Sequence, residues 1–398
     1  MNILFLHPAA AFGGASKSLI ELYRLLHAGG VRGTVLTPVG AVCQSFEKAG
    51  MRVRPVKGLS QFDNTRYGYY RKVRWVILLR ELFLLPFALV GLWRLRREPF
   101  DLVHINEITL LPFGVIAKWL LRVPMVVHVR SLQRKPGSGM RTRWVNALLR
   151  RYADAVVAID HTVAATLEAD LPLSIIHNGL DVAGQSVESA SPIKGEPVKV
   201  GFLGVLIPLK GVFELVEAVH ILKLRGIYIE CLIAGENARR LSGIKAWLLG
   251  KLGFARDVKT ELELFIRRNN LQEQVRLLGF VSDVRELYPQ LDILCFPSYL
   301  DAAGRPVFEA AFYGIPSVVA IANPVQDAVL HEFTGLAIPE PKPELIADAL
   351  QRLIEDPVWR CQLGQQAKAW AEQTFSIDIN ASLMFDIYKR LVSSGQAC

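Results

Sequence analysis

The chain has 398 residues, 51% hydrophobic and 21% charged, with a formal net charge of +9. This describes a foldable chain, slightly apolar for a soluble protein, with room for two or three domains at roughly 150 residues each. The positive balance suits an anionic partner (nucleic acid, anionic lipid or a phosphorylated small molecule), and its sign alone does not choose among them. Five scattered cysteines form no CxxC pair. They argue against a disulfide framework or zinc site, and Cys231 and Cys295, in apolar strand-like runs, read as core thiols in a reducing compartment.

The N-terminal "MNILFLHPAAAFGG" has no basic n-region and reads as the first strand of a cytoplasmic protein. A helix over Ser16–His27 follows, then strands at 33–38, 51–56, 101–106, 124–129, 154–159 and 174–179. A second series begins at 199–204 with a helix over Val212–Arg225. Strands at 228–235, 275–280, 292–297, 316–321 and 335–339 continue it. The alternation predicts parallel sheets with helices on both faces. We expect two doubly wound α/β domains facing across a cleft. The first covers 1–183, a Gly/Ser/Pro-rich linker covers 184–197, and the second covers 198–375. A last helix within 376–398 would cross back to the first domain.

The stretch 66–98 breaks this rhythm. Its apolar run, Leu82–Trp93, is flanked by arginines and aromatics. It is shorter than the ~20 residues of a spanning helix. Either it lies at a membrane interface or it is a buried helix under a basic surface. A second basic, apolar insertion covers 239–259, either a similar patch or a helical cover.

Ligands of open α/β sheets bind outside the carboxyl ends of the strands. His7, His104, His128 and His177 end predicted strands and together suggest a polar cleft rim; individually each reads as a satisfied strand-end group. No HxxH or HExxH occurs, so no metal site is expected. Gly13–Gly14 precedes a helix, where backbone amides can meet an anion. Lys210–Gly211 also precedes a helix, where a lysine is unfavourable unless an anion joins it; a surface lysine is the alternative.

The strongest signal is "DAAGRPVFEAAFYGIP" (301–316). Gly304 permits a turn, Pro306 suits the first helical position, and Gly314–Ile315–Pro316 ends the helix after about two turns. Glu309, placed in the first turn, can accept hydrogen bonds from ligand hydroxyls. The amides of 305–308, from Arg305, Pro306, Val307 and Phe308, would hold a phosphate. An acid for hydroxyls beside a helix start for phosphates suits a nucleotide diphosphate sugar.

This segment resembles the signature of the GT4 family of retaining glycosyltransferases (glycosyl transferases group 1, GT-B fold). "VGFLGVLIPLKGVFELVEAV", "VRLLGFVSDVRELYPQLDILCFPS", "HEFTGLAIPEPKPELIADAL", "GGASKSLIEL", "DLVHIN", "VPMVVHVR" and "IIHNGLD" extend the resemblance over nearly the whole chain. The resemblance implies that Glu309 holds the ribose hydroxyls and Asp301 the donor sugar. Lys210 would neutralise the diphosphate, helped by the backbone near Arg305–Phe308. Gly13 and Gly14 would let the first loop approach the donor. His128 or Arg130 would lie near the anomeric carbon, with Arg130 the better match to the family's histidine. Asn178 would lie near the interdomain crossing. Three positions depart from the pattern. Val205 stands where the family has Arg, with Arg305 a candidate substitute. Asp301 stands for a glutamate, and Asn323–Pro324 for Gly-Gly.

The implied chemistry is transfer of a hexose-type sugar without metal or other cofactor, cationic groups stabilising the leaving nucleotide. The expected acceptor is a lipid-linked oligosaccharide or other saccharide in cell-surface polysaccharide or lipopolysaccharide biosynthesis. The expected location is the cytoplasm, peripheral on the inner face of the cytoplasmic membrane. A soluble acceptor and a non-catalytic nucleotide-sugar-binding role are the alternatives. Nucleic acid is not expected as a partner, since no stacking platform accompanies the basic residues.

Overall fold

The computed structural model describes residues 1–66, 68, 70, 75–135, 137–180, 196–237, 257–300 and 303–395. Most of the linker expected at 184–197, most of the insertion expected at 239–259, and Asp301 lie outside the described residues. The chain divides into two compact units: Met1–Asp181 with Phe375–Cys398, and Val182–Thr374.

The first unit holds β1 (Asn2–Leu6), β2 (Arg32–Pro38), β3 (Arg52–Val56), β4 (Leu102–Ile105), β5 (Met125–Val129), β6 (Ala155–Ala158) and β7 (Leu173–Ile175). They form one sheet in the order β3-β2-β1-β4-β5-β6-β7. The pairings are parallel, Ile3 meeting Gly33 on one side and Leu102 on the other. Parallel neighbours need crossovers. These are supplied by α1 (Gly14–Ala28), α2 (Ala41–Lys48), α3 (Ile77–Leu95), α4 (Leu111–Leu121), α5 (Met140–Tyr152) and the single turn α6 (His161–Ala164).

Side-chain alternation divides the core in two. Leu4, Leu6, Val103, Ile105, Val127 and Val129 face one cluster, which takes in Ala88 and Leu92 of α3. Ile3, Phe5, Leu102, Val126 and Val157 face the other, which takes in Leu19 and Tyr23 of α1. Both faces of each strand are covered, which explains strands that read as continuous apolar runs.

The second unit holds β8 (Val198–Leu203), β9 (Ile229–Ala234), β10 (Val275–Gly279), β11 (Ile293–Phe296), β12 (Ser317–Ala320) and β13 (Gly335–Ile338), ordered β10-β9-β8-β11-β12-β13. Its helices include α7 (Val212–Leu224), α8 (Val258–Arg268), α9 (Arg305–Phe312), α10 (Pro343–Glu355) and α11 (Pro357–Thr374). α12 (Ile377–Gly395) belongs to the first unit. There Ala381, Met384, Ile387 and Tyr388 complete the α1 side of the core.

The stretch whose reading the sequence left open forms α3. Glu81, Ala88, Leu92 and Leu95 make its buried stripe. Glu81 accepts from the Gln61 amide and pairs with Arg80. The opposite face is apolar yet exposed: Leu79, Leu82, Phe83, Val90 and Trp93 are each more than half accessible. α3 is therefore not a buried helix. No helix among the described residues is long and apolar enough to cross a membrane.

Candidate active site

Each sheet reverses its winding beside its first strand, so adjacent loops diverge there and leave a crevice at the carboxyl edge. In the second unit this point lies between β8 and β11. The loops after those two strands carry the predicted donor-binding residues Lys210 and 305–309, whereas Gly13–Gly14 belong to the first unit.

After β8 the chain turns at Gly204, whose φ of +155° favours glycine. It then makes one 3-10 turn over Pro208–Lys210 before α7. Gly211 caps α7 at φ +73°, and a Cβ there would lie 1.8 Å from the Pro297 carbonyl oxygen. The turn is thus pressed onto the end of β11. Leu209 O accepts from the Ser298 hydroxyl and the Tyr299 amide. Lys210 Nζ is held 4.8 Å above the Phe296 ring, which stacks on Phe202. Burial pushes the Lys210 ammonium below its ordinary value. Among the described residues no carboxylate pairs with it, so it is a partly desolvated cation held by an aromatic face.

After β11, Gly304 caps α9, and a Cβ there would strike the same Phe296 ring at 2.5 Å. Pro306 occupies the second helical position rather than the expected first. Pro306 has no N–H, and the Val307 amide donates to the Gly304 carbonyl. Two of the four amides are thereby removed from the expected phosphate cradle. Val307 itself is buried in the core, while Phe308 is half-buried.

Glu309 lies one turn into α9 rather than in its first turn, because the helix begins at Arg305. That spacing puts it four residues from Arg305, whose Nε donates to Oε1 at 2.8 Å, with both side chains less than one-fifth exposed. The Tyr288 hydroxyl donates to Oε2 at 2.7 Å. Tyr288 is buried and stacks on Tyr313. Burial and the Glu309 charge push its phenol well above the ordinary value, so it remains a donor. Arg305, the candidate replacement for the missing cation at Val205, instead orients Glu309. Val205 is half exposed. Tyr288 and Phe296 were not identified from sequence; an aromatic in a helical turn or apolar strand has no local signal for this role.

In the first unit the switch point lies between β1 and β4. Gly13 caps α1 and Gly14 begins it. A Cβ at either would meet nothing within 4 Å, and neither has a positive φ. The fold itself gives no reason for glycine there.

Behind this loop runs a polar chain centred on Arg130. Arg130 Nε donates to Asn106 Oδ1 at 3.0 Å, and Nη1 donates to Asn178 Oδ1. Asn106 Nδ2 is turned to His7 Nδ1 at 2.9 Å, and His7 Nε2 meets the Ser16 hydroxyl of α1 at 3.0 Å. Arg130 is a donor only, so it orients the Asn106 amide, which in turn leaves the His7 proton on Nε2. Asn106, Arg130, His7 and Ser16 therefore tie β1, β4, β5 and α1 together below the Gly13–Gly14 loop. Neither Asn106 nor Ser16 was singled out from sequence, although Asn106 ends a strand as the histidines do.

The expected histidine rim is corrected. His7 and His104 are fully buried and His128 is 3% exposed. They point into the sheet packing rather than to its edge. Burial, then the Arg130 charge, depresses His7 and His104 to about 3 and His128 well below its ordinary value, so all three are neutral at neutral pH. His128 receives Arg130 Nη2 on Nδ1 at 3.3 Å and supports that arginine from beneath. Arg130, not His128, reaches the strand end. His104 Nδ1 bonds the Tyr388 hydroxyl of α12 at 2.7 Å. His177 packs edge-on against Phe375. Asn178 joins Arg130, and Gly179 is pressed against Ile377, where a Cβ would come within 2.6 Å of its backbone.

The comparisons with known proteins agree with this architecture. The family model "Glycosyl transferases group 1" matches residues 186–370, and "Glycosyl transferase 4-like domain" matches residues 13–177. The chain is 23% identical to the capsular polysaccharide biosynthesis glycosyltransferase CapM of Staphylococcus aureus, over 45% of this chain and 43% of that one. It is also 23% identical to alpha-D-kanosaminyltransferase of Streptomyces kanamyceticus, over 77% of this chain and 84% of that one. Among solved structures, Anabaena Alr3699/HepE in complex with UDP-glucose superposes with a TM-score of 0.73 at 24% identity, covering 99% of this chain and all of that one. With the two family models together spanning nearly its whole length, the chain belongs to the GT4 family of glycosyltransferases and has the GT-B fold.

Proposed function

We propose that the chain moves a sugar from a nucleotide-sugar donor to an acceptor hydroxyl with retention at the anomeric carbon. The observation that carries this reading is Lys210, a partly desolvated ammonium with no carboxylate partner among the described residues, fixed at the switch point of the second sheet. A diphosphate satisfies that charge. Glu309, held by Arg305 and Tyr288 on the neighbouring loop, presents a rigid acceptor for the ribose hydroxyls. Asp301 takes the donor sugar. Gly13 and Gly14, with open space at their α-carbons, let the amides of α1 approach the ligand. Arg130 lies near the anomeric carbon. HepE, which shares the fold, was solved with UDP-glucose.

The bond from the anomeric carbon to the diphosphate oxygen breaks, and the acceptor oxygen attacks from the same face. The acceptor proton passes to the departing phosphate, so no separate base is required. Lys210 stabilises charge on the leaving group in place of a metal.

We assign the acceptor to lipid-linked oligosaccharides of a cell-surface polysaccharide, handled at the inner face of the cytoplasmic membrane. The exposed apolar face of α3, flanked by basic residues, supports this, because a contiguous exposed apolar patch of this kind marks an interaction surface. Purified protein, a panel of labelled UDP-, GDP- and ADP-sugars, and membrane extract test the proposal. Labelled lipid product, undiminished by EDTA, is expected. Transfer from none of the donors would sink it, and transfer only to water-soluble acceptors would remove the lipid assignment.

A further inference from the structure

Between β3 and α3 the first unit carries a groove of about 540 Å³ on the flank of the sheet, lined by Val56, Arg54, Lys57, Phe87, Val90 and Arg94 among others. It exists because α3 lies close over the end of β3: a Cβ on Gly91 would sit 2.5 Å from Val56 Cγ1. Its one lining carboxylate, Glu98, is already paired with Arg52 at 2.9 Å and Arg54 at 3.1 Å. Lys57 and Arg94 have no ion-pair partner among the described residues. Lys57 Nζ instead sits 4.5 Å from the Phe87 ring centroid and 4.9 Å from that of Phe83. The groove is therefore cationic with apolar walls. It opens beside the same exposed apolar face that includes Phe83 and Val90.

We propose that this groove binds the phosphate headgroup of an anionic membrane phospholipid. Lys57 and Arg94 hold the phosphate, and Phe83, Phe87 and Val90 meet the start of the acyl chains. The inference rests on the membrane reading above and adds a defined headgroup site to it. A soluble phosphate satisfies the two cations but leaves the adjoining apolar face uncovered, whereas a phospholipid satisfies both. Arg97 and Arg143, exposed on the same unit but outside the groove, serve as a matched charge control.

The full chain is pelleted with vesicles of phosphatidylcholine alone or mixed with phosphatidylglycerol. Wild type is expected to bind the mixed vesicles. Removing two cations that touch the lipid, in Lys57→Ala/Arg94→Ala, weakens binding by about thirtyfold, at roughly fivefold for each. The control Arg97→Ala/Arg143→Ala changes binding by less than about fivefold. Val90→Glu, which sets a carboxylate into the groove, shows the same loss as the groove double variant, and all the proteins melt together. Equal losses in the two double variants would overturn the headgroup site while leaving membrane association standing. Inorganic phosphate that stabilises wild type but not the groove variant, with no preference for phosphatidylglycerol, would reassign the groove to a soluble anion. Failure of wild type to bind either vesicle would overturn the membrane reading itself.

Discussion

Lys210 and Glu309 are held in different ways, and their substitutions should fail differently. Among the described residues Lys210 has no charged partner to leave behind, so Lys210→Ala should melt like wild type while kcat falls by about 10²–10³-fold, the usual loss of one group stabilising a developing charge. A normal turnover number would remove Lys210 from the chemistry. Glu309→Ala removes the carboxylate that accepts from Arg305 and from Tyr288, both mostly shielded from water. It should cost about 1–3 kcal/mol of stability as well as donor affinity. Glu309→Gln keeps one acceptor oxygen for Arg305 and turns a donor NH2 toward the Tyr288 phenol oxygen, and should recover part of the stability. Calorimetry with and without UDP separates the two effects.

The buried histidines have a consequence for acid stability. His7 and His104 are held near 3 in the folded chain, and His128 is also strongly depressed. Once unfolded, each titrates near 6.5. Below that value the unfolded chain binds protons that the folded chain refuses, so stability falls with pH from about 6.5 down toward 3, by about 1.4 kcal/mol per unit for each histidine. Urea titrations between pH 7 and 5.5 should show uptake of about three protons on unfolding at the acid end. A flat profile would mean that the histidines are not buried neutral.

Each unit carries one short glycine-containing element at its switch point, and the two glycines obey opposite rules. Gly211 is required by the fold through its positive φ and its contact with the Pro297 carbonyl. Gly211→Ala should therefore lower the melting temperature of the second unit, the φ penalty alone being about 1–2 kcal/mol. Gly14 has neither constraint. Gly14→Ala should fold with an unchanged melting temperature and lose affinity for the nucleotide sugar. If Gly14→Ala bound donor as wild type does, the approach of that loop to the ligand would be refuted. The 3-10 turn over Pro208–Lys210 was read only as a loop, whereas the starts of α7 and α9 were visible in the sequence because "LKG" and "GRP" punctuate it. Their shared contact with Phe296 was not, since the two segments are nearly a hundred residues apart.

The chain as a whole consists of two units with separate cores, and the first is completed by its far C-terminal end. α12 buries Met384, Ile387 and Tyr388 against α1. At about 1.5–3 kcal/mol for each large side chain, this burial is comparable with the whole stability of a typical domain. A fragment covering 1–181 should not fold without α12, whereas a fragment covering 196–374 should fold and bind UDP on its own. Circular dichroism and UDP titration of both fragments check this; a stably folded 1–181 would contradict the role of α12.

The strand series, the parallel α/β class and the family were legible in the sequence because they depend on local properties: apolar runs, turn residues and the spacing of a carboxylate from a helix start. Glycines such as Gly211 and Gly304 carried the same kind of information. The position of a side chain relative to residues remote in sequence was not legible. Only the tertiary structure decided that His7, His104 and His128 lie beneath the strand ends, that Arg305 is spent on Glu309, and that α3 turns an apolar face outward. The physical reason is shared. Burial, charge pairing and desolvation are set by what the other strands and helices bring alongside, and for Arg130 that means Asn106 and Asn178, residues distant along the chain.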